Sequence, residues 1–113
     1  MNERDKERVK RFRELADQYK LAVCRDGVWS DKPYVIFDSI EFEDDMSKGL
    51  EYIVDLGMGD GTWAASNQLP PVAAVLVISR LAYDLLNRAG FSLHWDGNPM
   101  LPILIQPEAT DEE

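Results

Sequence analysis

Cysteine and histidine each occur only once in this chain of 113 residues, as Cys24 and His94. A single cysteine excludes a disulfide within the chain and a zinc site built on several thiolates. With a single histidine, any metal site would have to be built on carboxylates. The sequence therefore predicts neither a metal nor another cofactor.

Long apolar runs are also missing. The most apolar segment, residues 69–86, contains Arg80 and Asp84 and begins at a pair of prolines, so it does not predict a membrane span. The first ten residues, MNERDKERVK, lack the apolar core of a secretory signal. From these absences we expect a cytoplasmic protein that makes no membrane contact.

Positive charge is scarce and unevenly placed. The net charge is −9, yet residues 1–25 carry eight Lys or Arg against five Asp or Glu. Residues 38–60, called the acidic segment below, have Lys48 as their single base. The acids of this segment are Asp38, Glu41, Glu43, Asp44, Asp45, Glu51, Asp55 and Asp60. Such a charge repels nucleic-acid phosphates and attracts basic protein surfaces over roughly 8–10 Å at physiological salt.

This part of the chain fits neither a calcium-binding loop nor a phosphate-binding loop. The acidic segment has no D-x-[DN]-x-[DN]-G calcium loop, so we interpret it as a solvated or partner-facing surface rather than a Mg²⁺ or Ca²⁺ site. Residues 57–62, GMGDGT, lack the lysine of a phosphate-binding loop and have threonine where a dinucleotide fingerprint needs glycine. A plain turn is predicted there.

Apolar residues at helical spacing predict an amphipathic helix over residues 3–24. Asp26 and Gly27 follow as the signal that terminates it. Its apolar positions are Val9, Phe12, Leu15, Ala16, Tyr19, Ala22 and Val23. The basic stripes on its other faces are typical of a solvated helix surface, and an RNA or membrane contact is the alternative.

A second helix is predicted over residues 71–89, because proline suits the first turn and the segment has almost no polar stripe. We expect Leu81 and Leu85 to be buried on it. Alternating residues over 91–96, turn residues at 96–99 and an apolar run over 101–106 predict a hairpin. Pro102 within this run requires a sheet edge or a strand start.

The middle of the chain is less distinct. Residues 33–42 predict a strand, because Ile36, Ile40 and Phe42 share one parity. Residues 43–57 fit either a helix or a strand that closes on a turn at residues 59–61, and the helix is favoured. The resulting prediction is an α+β fold, a single domain over residues 1–113 with flexible ends at 1–3 and 107–113. Two to three helices pack on a small, mostly antiparallel sheet formed by residues 33–42, 91–96 and 101–106.

His94 raises the question of catalysis. On a strand it lies two residues from Asp96 on the same face, which could form the orienting half of a catalytic triad. The chain offers no convincing nucleophile and no G-x-S-x-G elbow, so we interpret His94 as a surface residue of the hairpin.

Residues 85–105, LLNRAGFSLHWDGNPMLPILI, resemble the C-terminal end of several small bacterial α+β domains of uncharacterised function. In those domains a helix leads into a G-h-x-h-x-W-D-G hairpin (h, hydrophobic) and a final strand. The resemblance implies the order of helix and hairpin, and it implies no activity.

Two classes of function follow. The first is a non-catalytic domain that presents the acidic segment to a basic protein surface, including that of a nucleic-acid-binding protein. Inhibitors, immunity proteins and phage anti-defence (anti-CRISPR-like) proteins are examples. The alternative is a small enzyme or ligand-binding domain that uses Asp or Glu with His94. Carboxylates spread over a convex face favour the first class, and carboxylates converging in a cleft favour the second.

Overall fold

The computed structural model describes residues 3–27 and 30–107, and within them the predicted α+β class is confirmed. The elements in chain order are α1 (Glu3–Gln18), β1 (Ala22–Cys24), β2 (Tyr34–Ile36), α2 (Ser39–Ser47), β3 (Tyr52–Gly57), α3 (Thr62–Ser66), α4 (Pro71–Ala89), β4 (Leu93–His94) and β5 (Ile103–Ile105). The predicted flexible ends lie outside the described residues, except for Glu3, which begins α1, and Pro107.

The five strands form one sheet in the order β1-β2-β3-β5-β4, in which only the β1–β2 pair is parallel. Side chains alternate between the two faces of a strand, and β3 shows this clearly. Tyr52 and Val54 are buried, whereas Ile53 and Asp55 are exposed. The helices therefore cover one face of the sheet, and the other face is open at Ile53 and Asp55.

An aromatic cluster fills the core between the sheet and the helices. The ring centroid of Phe37 lies 5.8 Å from that of Phe12 and 5.3 Å from those of Phe42 and Tyr52. Phe91 completes the cluster at 6.3 Å from Phe37. These separations are in the favourable range for tilted and edge-to-face ring pairs. Residues from α1, α2, β3, the segment after β2 and the segment after α4 are thereby held together.

Helix α4 is confirmed with the predicted bounds, Pro71–Ala89. Leu85 is fully buried as predicted, while Leu81 is only partly buried at the margin of the core. Gly90 follows with a positive φ of 104°, which ends the helix in a left-handed cap.

The C-terminal hairpin is also confirmed, but its strands are shorter than predicted. Leu93 pairs with Ile105 and His94 with Leu104 in antiparallel register. Because β5 also pairs with β3, it is an interior strand. Pro102 immediately precedes it, so of the two predicted positions for this proline the strand start is the one observed.

The predicted helix over 3–24 is too long at its C-terminus. Lys20 adopts a left-handed conformation with φ of 58°, and the Leu21 N–H donates to the carbonyl of Ala16. This arrangement closes a helix end and directs Leu21 into the core, where it is 5% exposed. The apolar residues Ala22 and Val23, which extended the helical pattern, belong to β1 instead.

The predicted strand over 33–42 is confirmed only over Tyr34–Ile36, and the favoured helix over 43–57 is confirmed only over residues 43–47, the end of α2. Asp38 ends the extended segment and begins α2, so Ile40 and Phe42 lie on a helix. Residues 52–57 form β3, the strand alternative for this segment. The local pattern allowed both structures, and pairing with β2 and β5 on its two sides selects the strand.

The turn predicted at residues 59–61 is present, but it leads into the short helix α3 rather than into a hairpin. The last residue of β3, Gly57, lies opposite Tyr34 of β2. A Cβ atom at Gly57 would overlap the Tyr34 ring, so the ring packs directly on the glycine backbone. Glycine is required here by contact and not by a positive φ.

Candidate interaction surface on helix α2

Helix α2 is attached to the domain by one face only. Among its nine residues, Phe42 is the single fully buried side chain, and Met46 packs partly against the core. The remaining side chains are more exposed, because a helix of this length can direct only one or two positions inward. Most of the helix surface therefore lies in contact with solvent.

The first turn of α2 is fixed by Asp38. Its carboxylate accepts hydrogen bonds from the N–H groups of Ile40 and Glu41, at 2.9 and 3.4 Å, and it lies 3.3 Å from the Arg25 guanidinium. Partial burial raises the pKa of Asp38, but these hydrogen bonds and Arg25 outweigh it and bring the pKa below its ordinary value of 3.8. Asp38 is thus a structural cap.

Tyr52 connects this cap to the sheet. Its hydroxyl oxygen accepts a 2.7 Å hydrogen bond from the Asp38 N–H, and its ring contacts Phe42 edge-on at 5.6 Å. Burial raises the pKa of Tyr52, and the negative charges of Asp38, Glu41 and Asp45 raise it further. The negative charges at the start and in the middle of α2 therefore all act on the Tyr52 hydroxyl.

The structure brings together five of the eight acids of the acidic segment. Asp38 caps α2, and the helix carries Glu41, Glu43, Asp44 and Asp45. The three others lie elsewhere on the surface. Glu51 precedes β3, Asp55 is on the open face of the sheet, and Asp60 is in the turn before α3.

The charge of α2 is only partly neutralised by neighbours. The Lys48 ammonium lies 3.0 Å from the Asp44 carboxylate, and this hydrogen bond raises the pKa of Lys48. Both side chains are more than half exposed, so the pair contributes little to stability. Asp60 forms a hydrogen bond within its own turn, because its carboxylate accepts from the Thr62 N–H at 2.9 Å. The pKa of Asp60 is lowered mainly by its hydrogen bonds with Thr62.

An exposed apolar residue, Ile40, lies among these acids. The sequence pattern did not identify it as a surface residue. Ile40 is 64% exposed on α2, four residues before Asp44 and therefore on the same side of the helix. Its parity with Ile36 and Phe42 instead predicts a strand. The pattern D-S-I-E at residues 38–41 is a helix-start signal that could have placed it correctly.

His94 does not lie in a comparable arrangement. It is exposed at the open face of the sheet, and among the described residues no hydrogen bond or ion pair joins it to an acid. Asp96 instead accepts a hydrogen bond from the Asn98 N–H within the hairpin turn, at 2.9 Å. Over residues 3–27 and 30–107, no three or more His, Cys, Asp or Glu residues form a group that could hold a metal ion.

Comparison of this chain with protein-family models, with curated proteins and with solved structures finds no match. Among the described helices, none is both long and apolar enough to cross a membrane.

Proposed function

We propose that this protein is a non-catalytic binding domain that presents α2 to a basic protein surface. The observation that carries the proposal is the outward face of α2, where Ile40 is 64% exposed among Glu41, Glu43 and Asp44. Protein interfaces commonly combine a central apolar contact with a charged rim. The acids would attract and orient the partner, and Ile40 would add a desolvated contact.

The partner we propose is a cationic surface, such as the nucleic-acid-binding face of another protein. An acidic helix that occupies such a face would exclude phosphate backbones by direct competition. Small acidic inhibitors, immunity proteins and phage anti-defence proteins that act in this way are the functional class we propose. The placement of these acids on an exposed helix surface, away from His94, supports this class over an enzyme that would use converging carboxylates with His94.

The test is charge reversal of Glu41, Glu43 and Asp44 to lysine. Proteins captured from lysates of the native host and of its target cell are compared between the wild type and this variant at matched salt. We expect the variant to lose the basic partner. With that partner purified, its association rate should fall more than its dissociation rate rises, because exposed charges mainly steer encounter.

A matched control applies the same charge change to α1, through Glu7, Glu14 and Asp17 to lysine, all three being exposed. A second pair compares Ile40→Ala with Val77→Ala, an exposed valine of α4. The α1 and Val77 variants should retain the partner, and Ile40→Ala should speed its dissociation. If wild type and α2 variant capture the same proteins, the acidic surface is only solvated and the proposal is wrong.

A further inference from the structure

A cavity of about 280 Å³ lies between the N-terminal half of α4, strand β3 and the segment that leads into β5. Apolar side chains on its walls include Val54, Leu56, Met58, Val75, Leu101 and Ile103, and Asp55 and Ser79 add polar groups to the lining. The volume exceeds the roughly 150 Å³ of an apolar protein cavity that accommodates benzene. A molecule with one aromatic ring and a substituent therefore fits within it.

The cavity wall contains one buried polar side chain, Ser79 of α4. Ser79 is 1% exposed, and it is the one buried polar residue among those that the structure describes. A helical serine commonly donates to the carbonyl four residues earlier. Over residues 3–27 and 30–107, however, the Ser79 hydroxyl takes part in no hydrogen bond. A buried hydroxyl without a partner is costly, so a donor or acceptor from a ligand would be favoured at this point.

The outer wall of the cavity is braced. The Trp95 indole N–H donates to the carbonyls of Asn98 and Leu101, at 3.0 and 3.3 Å, and this fixes the hairpin connection over the cavity. Met100 and Leu101 on this connection are 74% and 49% exposed. Preformed pockets that combine apolar side chains with a small number of placed polar groups are typical of small-molecule sites.

We propose that this cavity binds a small aromatic molecule with a single hydrogen-bonding group, such as a phenol, and that the Ser79 hydroxyl pairs with that group. The apolar side chains of the lining would contact the ring, and the Ser79 hydroxyl would select molecules that carry a hydroxyl at the matching position. This site is separate from α2, and the inference does not depend on the proposed function.

The experiment uses p-cresol and toluene, two probes that differ by one hydroxyl. Methionine methyl groups labelled with ¹³C report binding by NMR, because Met58 and Met100 line the cavity and Met46 lies on α2. We expect p-cresol to shift the Met58 and Met100 signals saturably at millimolar concentration and to leave Met46 unchanged. Toluene should bind more weakly at the same site.

Two variants separate the cavity from the hydroxyl. Ser79→Ala should weaken p-cresol binding roughly three- to tenfold and leave toluene binding within about twofold, since only one hydrogen bond is removed. Val75→Phe should fill the cavity and block both probes, whereas Val77→Phe, outside the lining, should block neither. Circular dichroism confirms that each variant is folded.

The proposal is overturned if neither probe shifts Met58 and Met100 in the folded wild type. In that case Ser79 is a buried residue with no ligand to bind. It is equally overturned if the two probes bind alike and Ser79→Ala changes neither affinity, because the cavity would then be a packing void without selectivity.

Discussion

Helices α4 and α2 are attached to the same sheet in opposite ways. α4 has 19 residues, of which seven are buried: Ala74, Ile78, Ser79, Ala82, Leu85, Leu86 and Ala89. α2 has nine residues, and Phe42 alone is fully buried. The long helix is held by apolar packing along most of its length, whereas the short one is held by a single ring and a capped first turn.

Because of this difference in burial, substitutions on α4 should mainly change stability, whereas substitutions on α2 should mainly change interaction with a partner. Substitutions on the buried face of α4 remove core contacts and leave a cavity, so they change the free energy of unfolding. Most positions of α2 can change without such a loss, because their side chains do not contribute to the core. The residues of such a surface can change to suit a partner without loss of stability.

The largest effect is expected on α4. Leu85→Ala should lower the free energy of unfolding by roughly 2–5 kcal/mol, because a fully buried leucine is replaced by a smaller residue. Leu81→Ala should cost less, since Leu81 is only partly buried. Urea denaturation monitored by circular dichroism measures both. A loss at Leu85 below about 1 kcal/mol would contradict its place in the core.

A smaller loss is expected where α2 meets the sheet. Tyr52→Phe keeps the ring contact with Phe42 but removes the acceptor of the Asp38 N–H. The expected loss is about 1–2 kcal/mol by urea denaturation, since a partly buried donor is left unpaired. Tyr83→Phe is a matched control on α4, with no hydrogen bond of the Tyr83 hydroxyl in the described residues. Equal losses in both variants would show that the Tyr52 hydroxyl does not stabilise α2.

The α2 cap predicts a dependence on pH. The pKa of Asp38 is lower in the folded protein than its ordinary value of 3.8, so its ionised form stabilises the fold above that pH. This contribution is lost as the pH falls through the lower, folded pKa. Asp38→Asn retains a capping oxygen without the charge. We therefore expect the wild type to be more stable than this variant at pH 7 and the difference to vanish in acid.

Thermal or urea unfolding between pH 7 and pH 2.5 measures the difference in stability between the wild type and Asp38→Asn. Glu14→Gln, on the exposed surface of α1, removes one negative charge elsewhere and serves as the control. If the stability difference from the wild type disappears in acid equally for Asp38→Asn and Glu14→Gln, general carboxylate titration explains the effect and the cap does not.

The smallest effect is expected from removal of divalent metal. The α2 acids project from a helix surface, and the described residues form no metal-binding group. A thermal melt in EDTA should therefore shift the midpoint by no more than about a degree or two relative to buffer with Mg²⁺ or Ca²⁺. A large drop in EDTA would mean that a cation holds the acidic segment together.

The sequence by itself determined α4 and the hairpin that follows it. Its signals there are local and agree with one another: Pro71 begins the helix, its apolar positions leave little polar surface, and Gly90 ends it. The acidic character of residues 38–60 was equally evident. The location of five of these acids at α2 was not evident, because the strand parity of Ile36, Ile40 and Phe42 competed with the capping signal at Asp38.

Tertiary structure alone decided the rest. Ala22 and Val23 continue a helical pattern, yet they form β1 because burial of Leu21 ends α1 and β2 provides a partner strand. Residues 52–57 fit both periodicities, and hydrogen bonding to β2 and β5 selects the strand. Such pairings join residues far apart in the chain, so no local pattern contains them.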